Sequence, residues 1–439
     1  MGYLSGAGLS PTLVFHFHLK AAYPLDFSTY AYTVTDRFLR YVQIDTQSDP
    51  SSSTCPSTEK QKDLGRVLLA ELKDVGATEA EMDENGYVYA TIPATVSHEV
   101  PVICFCSHMD TSPDASGRGV KPLVHHDYQG GPLTLPDDPS IVLRPEEHPD
   151  LTTQIGHDLI TGSGTTLLGA DNKAGVAAIM DAAHYLLSHP EVPHGKIRIL
   201  FTPDEEIGRG VDRVDLPKLA ADYGYTIDGE KAGTFDDETF SADGATLVVE
   251  GVSAHPGFAK GRLENALKIA GEILAALPQD RLTPESTEGK EGFIHPVSMS
   301  GIAERAEVEF IIRDFDTGKL TDHVAELQRV ADQVLQRYPG SRAEVRRYEQ
   351  YRNMKEVLVD YPEVVAKAEE AIRRAGLTPE KRSIRGGTDG SRLSFMGLPC
   401  PNIFAGEHAF HSKYEWVSVQ DMQGAVRTMV HLAALWGEQ

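Results

Sequence analysis

The sequence predicts an α/β protein: a mainly parallel sheet flanked by helices, with a smaller α+β domain inserted into it. Three observations carry that expectation. Residues 31–239 alternate short apolar runs with stretches of helical periodicity, the pattern changes across 240–350, and the earlier style resumes across 351–439. Strands separated by helices pair in parallel and leave the helices on the two faces of the sheet. A chain of 439 residues is also longer than one core usually grows, so two unequal domains are expected.

The elements follow in order. TVTDRFLRYVQI and KDLGRVLLAELKDVG repeat apolar residues at helical spacing, and GYVYATIP and the apolar run VPVICFCSH then read as strands. KAGVAAIMDAAHYLLSHP is a helix that closes before Pro190, and KIRILFTP and YGYTIDG are further short strands. In the second part, ATLVVEGVSA and AEVEFIIRDF read as strands of an antiparallel sheet, with helices from Leu263 to Leu277 and near Leu320 to Tyr338. The third part holds a helix through PEVVAKAEEAIRRAG, the glycine-rich RGGTDGSRLSF and a final helix through MQGAVRTMVHLAALWG. Residues 1–30 stand apart as an N-terminal extension. Their apolar patch from Leu13 to Phe15 is broken by His16 and His18 and lacks a preceding charged segment, which makes a poor signal peptide.

Composition narrows the function classes. With 41 Lys+Arg against 65 Asp+Glu the formal charge is -24, which argues against nucleic acid or an anionic membrane surface as a partner. No apolar run approaches the roughly 20 residues of a spanning helix. Cys55, Cys104, Cys106 and Cys400 are too sparse for a disulfide framework and lack paired CxxC spacing, so a reducing cytoplasm is the expected location.

In open α/β sheets, ligands gather at the carboxyl ends of the strands. Polar residues stand just past each candidate strand: His108 and Asp110, Asp171 ahead of a helix, Glu205 and Glu206, Asp228, and His408 and His411 near the C-terminus. Imidazoles and carboxylates together suit Zn, Mn or Co, and a two-metal hydrolytic site needs one bridging carboxylate, about two further ligands per metal and a separate carboxylate base. Spacing alone does not assign ligand and base between Glu205 and Glu206, nor choose between His408 and His411. His125, His126 and His157 have no partner at ligand spacing and read as loop residues. GSGTTLLG lacks the Lys-Ser/Thr ending of a phosphate loop, so no nucleotide site is expected.

SHMDTSPDASG, LLGADNKAGVA, TPDEEIGRG, VSAHPGFAKG, IIRDFD, IRGGTDGSRLSFMGLPCPN and HSKYEW run in that order from about residue 33 to the end. The series resembles that of the tripeptide aminopeptidases in the M20 metallopeptidase family. The resemblance implies two zinc ions per subunit, with Co2+ or Mn2+ as substitutes. His108 and Asp228 would hold one, Glu206 and His411 the other, and Asp171 would bridge them. Glu205 would be the general base acting on the bridging water, and Asp110 would orient His108. A cis peptide is expected after Asp171, where Asn172 departs from the second Asp common in the family. The inserted segment corresponds to the family's lid and dimerisation domain, and His255 of one subunit would reach the active site of its partner. Arg313 and Arg385 are expected to contact substrate backbone or carboxylate. The implied activity is release of the N-terminal residue from tripeptides with a free amino terminus, by a cytoplasmic homodimer. Dipeptidases, carboxypeptidases and N-acyl amino acid deacylases of the same family are the alternative. A catalytically silent metal- or peptide-binding protein would lack a base or a ligand, and this chain has the whole set.

Overall fold

The computed structural model describes residues 25–438; residues 1–24 of the N-terminal extension, His16 and His18 among them, lie outside the described residues. The larger sheet has eight strands in the order Thr78–Met82, Val88–Ile92, Ile197–Thr202, Ile103–His108, Tyr223–Gly229, Asn402–Phe404, Thr234–Thr239, Glu380–Ile384. Its centre is parallel, from Ile197–Thr202 through Ile103–His108 and Tyr223–Gly229 to Asn402–Phe404. The first two strands are antiparallel additions, and Thr234–Thr239 enters antiparallel beside Asn402–Phe404, so the sheet is mixed.

The central strands Ile103–His108 and Ile197–Thr202 are buried along their whole length, as apolar runs covered on both faces must be. One face packs against helices Val34–Tyr41, Ala170–Ser188, Pro362–Arg374 and Val419–Gly437 through a large aliphatic core. On the other face Cys104, Cys106 and Cys400 sit together with Tyr87, Tyr89, Leu200 and Leu393. The described chain leaves all four cysteines free, three of them buried as small apolar side chains.

A second, four-stranded sheet is built from Phe293–Gly301, Arg305–Asp314, Ser241–Glu250 and Arg342–Tyr351, antiparallel throughout. Arg305–Asp314 alternates strictly between half-buried and buried positions, and its inward side chains meet helices Ala266–Ala276 and Thr317–Leu335. The first helix starts later than its periodicity predicts because the Asn265 side chain accepts the backbone N–H groups of Leu267 and Lys268. The second starts earlier, where Asp316 caps Gly318. Asn353 ties the two crossings between the sheets: its side chain accepts from Thr239 N at 3.1 Å and its backbone N–H donates to Ser241 Oγ at 2.9 Å.

A smaller sheet of Glu407–His408, Trp416–Ser418, Leu159–Thr161 and Leu123–His125 carries the loop that holds His411. His125 therefore belongs to a strand and not a loop, with Nε2 2.9 Å from Thr161 Oγ1. Among the described residues, no helix is long and apolar enough to cross a membrane.

Candidate metal centre

Parallel pairing brings the strand-end residues together. Cys106 is level with Leu200 on one side and Thr226 on the other, so His108 ends beside Thr202, and Asp228 follows two residues beyond Thr226. The helix Ala170–Ser188 lies directly on this edge because Gly175 faces the strand: a Cβ there would stand 1.9 Å from the Ile227 carbonyl oxygen. That contact sets Asp171 beside His108 and Asp228. The Asp171–Asn172 peptide is cis, as expected.

After Thr202 the chain turns through Asp204, whose φ of 59° is left-handed and whose carboxylate accepts from Ser57 N and Gln61 Nε2, both at 2.7 Å. The next residues form a single 3-10 turn, Glu205–Ile207, that presents both glutamates to the edge. Asp110 holds this turn from behind. Its two carboxylate oxygens accept from Glu205 N at 3.0 Å and Glu206 N at 3.2 Å. His108 Nδ1 lies 3.1 Å from the Asp110 carbonyl oxygen and 3.4 Å from its Oδ1, so one residue orients both the imidazole and the glutamate turn.

Two groups of donor atoms result, and they share one residue. His108, Asp171 and Asp228 form the first; Asp171, Glu206 and His411 form the second, with the donor atoms of each group within 4.8 Å of one another. His108 Nε2 is 3.0 Å from Asp171 Oδ1 and 3.5 Å from Asp228 Oδ1. His411 Nε2 is 3.3 Å from Asp171 Oδ2 and 2.8 Å from Glu206 Oε2. Each oxygen of Asp171 thus faces a different imidazole. Glu205 belongs to neither group, with Oε2 3.9 Å from His108 Nε2.

The electrostatics describe a cluster short of positive charge. Burial raises the Glu205 carboxyl well above its usual range, with the charges of Asp389, Asp228 and Glu206 adding to it against His108. Burial and then the Asp171 charge push Glu206 up to about 8. Burial works against a charged His411, yet its hydrogen bonds to Asp171 and Glu206 outweigh it and raise the imidazole to about 11. His108 is raised in the same way, chiefly by the charge of Asp228. The cluster holds protons where nothing else offsets its acids.

A family model described as "Peptidase family M20/M25/M40" matches residues 159–435, more than half of the chain. Peptidase T of Bacillus pumilus is 48% identical over 403 residues, covering 92% of this chain and 98% of that one. The chain belongs to peptidase family M20. Solved structures agree on the fold of this M20 peptidase. Aminopeptidase PepT from Bacillus cereus superposes with a TM-score of 0.70 at 24% identity, over 92% of this chain and 98% of that one. A dinuclear metal-binding M20 peptidase from Bacillus subtilis gives 0.62 at 15% identity, over 92% and 97%.

The other expected site residues of the M20 peptidase divide. Arg313 and Arg385 both line the cleft above the acidic edge. Arg385 donates to the carbonyl oxygens of Gly289 at 2.7 Å and Glu291 at 3.0 Å, and its guanidinium stands 5.1 Å from the Phe240 ring centroid. Arg313 donates to the Asp243 carbonyl at 3.2 Å and lies over the Tyr351 ring. His255 does not reach the cleft of its own chain: it is exposed, accepts from Gly257 N at 3.1 Å and packs on Phe258. His408, the spacing alternative to His411, is stacked on Trp416 at 4.0 Å and buried away from both donor groups.

Three buried acids escaped the sequence reading. Glu415 accepts from Leu168 N at 2.7 Å, Gly169 N at 2.6 Å and Asp171 N at 3.0 Å, so it sets the loop that carries the shared carboxylate. Burial raises it to about 7 against those bonds. Asp389 accepts from Thr202 Oγ1 at 2.6 Å and lies against Gly210, where a Cβ would overlap its Oδ1. Glu407 lines the cleft near the first donor group. HSKYEW contains Glu415, but nothing in its spacing distinguishes a loop-holding acid from a surface one.

Proposed function

We propose that this M20 peptidase is a dizinc aminopeptidase that releases the N-terminal residue of tripeptides. The observation that carries the reading is the pair of donor groups sharing Asp171, with a free-standing glutamate beside them. A cation pair fits these residues on two counts. The donors are the imidazoles and carboxylates that zinc, cobalt and manganese accept, and Glu206 Oε1 is buried with no hydrogen-bond partner. His108 and Asp228 hold one ion, Glu206 and His411 the other, and Asp171 both; Co2+ or Mn2+ can replace Zn2+. When bound, such ions acidify water and polarise the substrate carbonyl.

The chain's own residues supply the rest. Glu205 takes a proton from the attacking water and returns it to the leaving amine, a role that suits a carboxyl whose pKa is raised toward the working pH. Asp110 keeps the His108 ring and the Glu205–Glu206 turn in register. Arg313 and Arg385 bind the peptide backbone or its carboxylate from the inserted-domain side of the cleft, and their lack of a carboxylate partner among the described residues supports this. The cleft of about 1570 Å³ is larger than a typical small-molecule pocket and has room for a short peptide. The name Peptidase T on relatives of nearly the same length supports the substrate class.

The inserted domain serves as lid and as the contact of a homodimer, so that His255 of one subunit stabilises the oxyanion in the other. Val297, Met299, Ile302 and Phe258, exposed on that domain, support an interface there. Four free cysteines suit a cytoplasmic enzyme. A panel of di-, tri- and tetrapeptides with N-acetylated counterparts tests the reading. Free tripeptides should be cleaved fastest with release of the first residue, and faster cleavage of N-acyl amino acids or dipeptides would refute it.

A further inference from the structure

Most of the carboxylates around the two donor groups have an identifiable partner. Asp110 has two backbone N–H groups, Glu415 has three, Asp389 has the Thr202 hydroxyl, and Asp171, Asp228 and Glu206 each face an imidazole. Glu407 differs. It is 1% exposed, and neither of its carboxylate oxygens has a hydrogen-bond partner. It stands on the short strand Glu407–His408, which pairs with Trp416–Ser418 and packs against the helix that begins at Asp171.

A buried carboxylate without a donor is stable only if a cation offsets it or if it stays protonated. Burial raises Glu407 well above the usual carboxyl range, and the charges of Asp171 and Asp228 raise it further, which locates it electrostatically beside the first donor group. It is not one of the residues whose donor atoms converge within 4.8 Å, so it acts from outside the ligand set. Charge counting gives it a task. Two divalent ions exceed the three ligand carboxylates by one charge, and Glu205 cannot serve as a fixed counter-charge while it carries a proton.

We propose that Glu407 is a further metal-site residue: an outer carboxylate that strengthens cation binding at the His108–Asp171–Asp228 position. The inference rests on the two-metal reading above. In a low-dielectric site a fixed negative charge one layer from the ion acts with little screening, and outer groups of metal sites commonly change affinity by about 10- to 100-fold.

The test uses full-length wild-type and Glu407→Gln protein, with Zn2+ affinity measured by chelator competition and the visible spectrum of bound Co2+ as a second readout. Glu407→Gln should bind one of two ions about 10- to 100-fold more weakly and leave the other unchanged. Glu407→Asp should recover most of the loss. Metal-free Glu407→Gln should melt no lower than metal-free wild type, because the wild-type carboxylate has no protein hydrogen bond to lose. Should Glu407→Gln not fold, the same affinities in Glu407→Asp decide: values between wild type and a complete loss of one ion support the proposal. Two affinities indistinguishable from wild type would overturn it. So would unchanged affinities with a raised KM confined to peptides bearing a free amino terminus, which would make Glu407 a substrate contact. A wild type that binds no ion would instead refute the metallopeptidase reading itself.

Discussion

The carboxyl edge of the main sheet and the outer face of the inserted sheet are both rich in acids, and they treat them in opposite ways. On the inserted sheet the acids are partly exposed and each finds an arginine: Glu250 pairs with Arg305 and Arg342, Glu307 with Arg305 at 2.6 Å, and Glu344 with Arg346 at 3.0 Å. At the main sheet's edge Asp171, Glu205, Glu206 and Asp228 are shielded from solvent around two imidazoles. Surface pairs solve solvation locally and contribute little to stability. The buried cluster is left short of positive charge, which is what a cation site looks like from the protein's side.

The sharpest way to break that contrast is Glu205→Gln, which should lower kcat by about 10²- to 10⁴-fold while leaving the bound metal unchanged. Steady-state kinetics with metal analysis on one sample checks both halves. Lost metal would make Glu205 a ligand and reverse its assignment with Glu206.

Next in size is Glu415→Gln. It withdraws an acceptor from the N–H groups of Leu168, Gly169 and Asp171, and should weaken metal affinity or activity by about 10- to 100-fold without touching substrate.

The pH dependence of metal binding comes third. His108 and His411 have folded-state pKa values raised above 6.5, about 11 for His411. Their protonation therefore stabilises the metal-free protein below pH 6.5, and that stability is lost as pH rises toward 11. A bound cation needs neutral imidazoles, so its affinity should tighten with rising pH across this window and binding should release protons. Calorimetry in buffers of different ionisation enthalpy measures that release, and none would mean the imidazoles are not ligands.

The smallest effect belongs to the other region. Glu344→Ala on the inserted sheet should change unfolding stability by less than about 1 kcal/mol and leave kcat unchanged, as followed by urea denaturation.

Much of the site was legible because strand-end residues can be read from apolar runs. VPVICFCSH, KIRILFTP and YGYTIDG form neighbouring parallel strands, and their ends carry His108, the Glu205–Glu206 turn and Asp228. TFDDET was not legible as a strand, since three acids in a row read as solvent-facing. Its acids are nevertheless buried: Asp237 pairs with Lys381, Glu238 with Lys290 and Lys355, and Asp236 accepts from Asn402 at 3.2 Å. Those partners lie dozens of residues away, so no local pattern reveals them. The same holds for Glu415 and Glu407, whose surroundings are set by the helix at Asp171. Adjacency left Glu205 and Glu206 interchangeable; in the fold Glu206 faces His411 and Asp171, while Glu205 stands nearer His108.

The most direct measurement is a metal back-titration of fully chelated enzyme with Zn2+, assayed by tripeptide hydrolysis. Two donor groups sharing Asp171 predict that activity returns and saturates at two equivalents per chain. Full activity without added metal, or saturation at one equivalent, would contradict a paired centre.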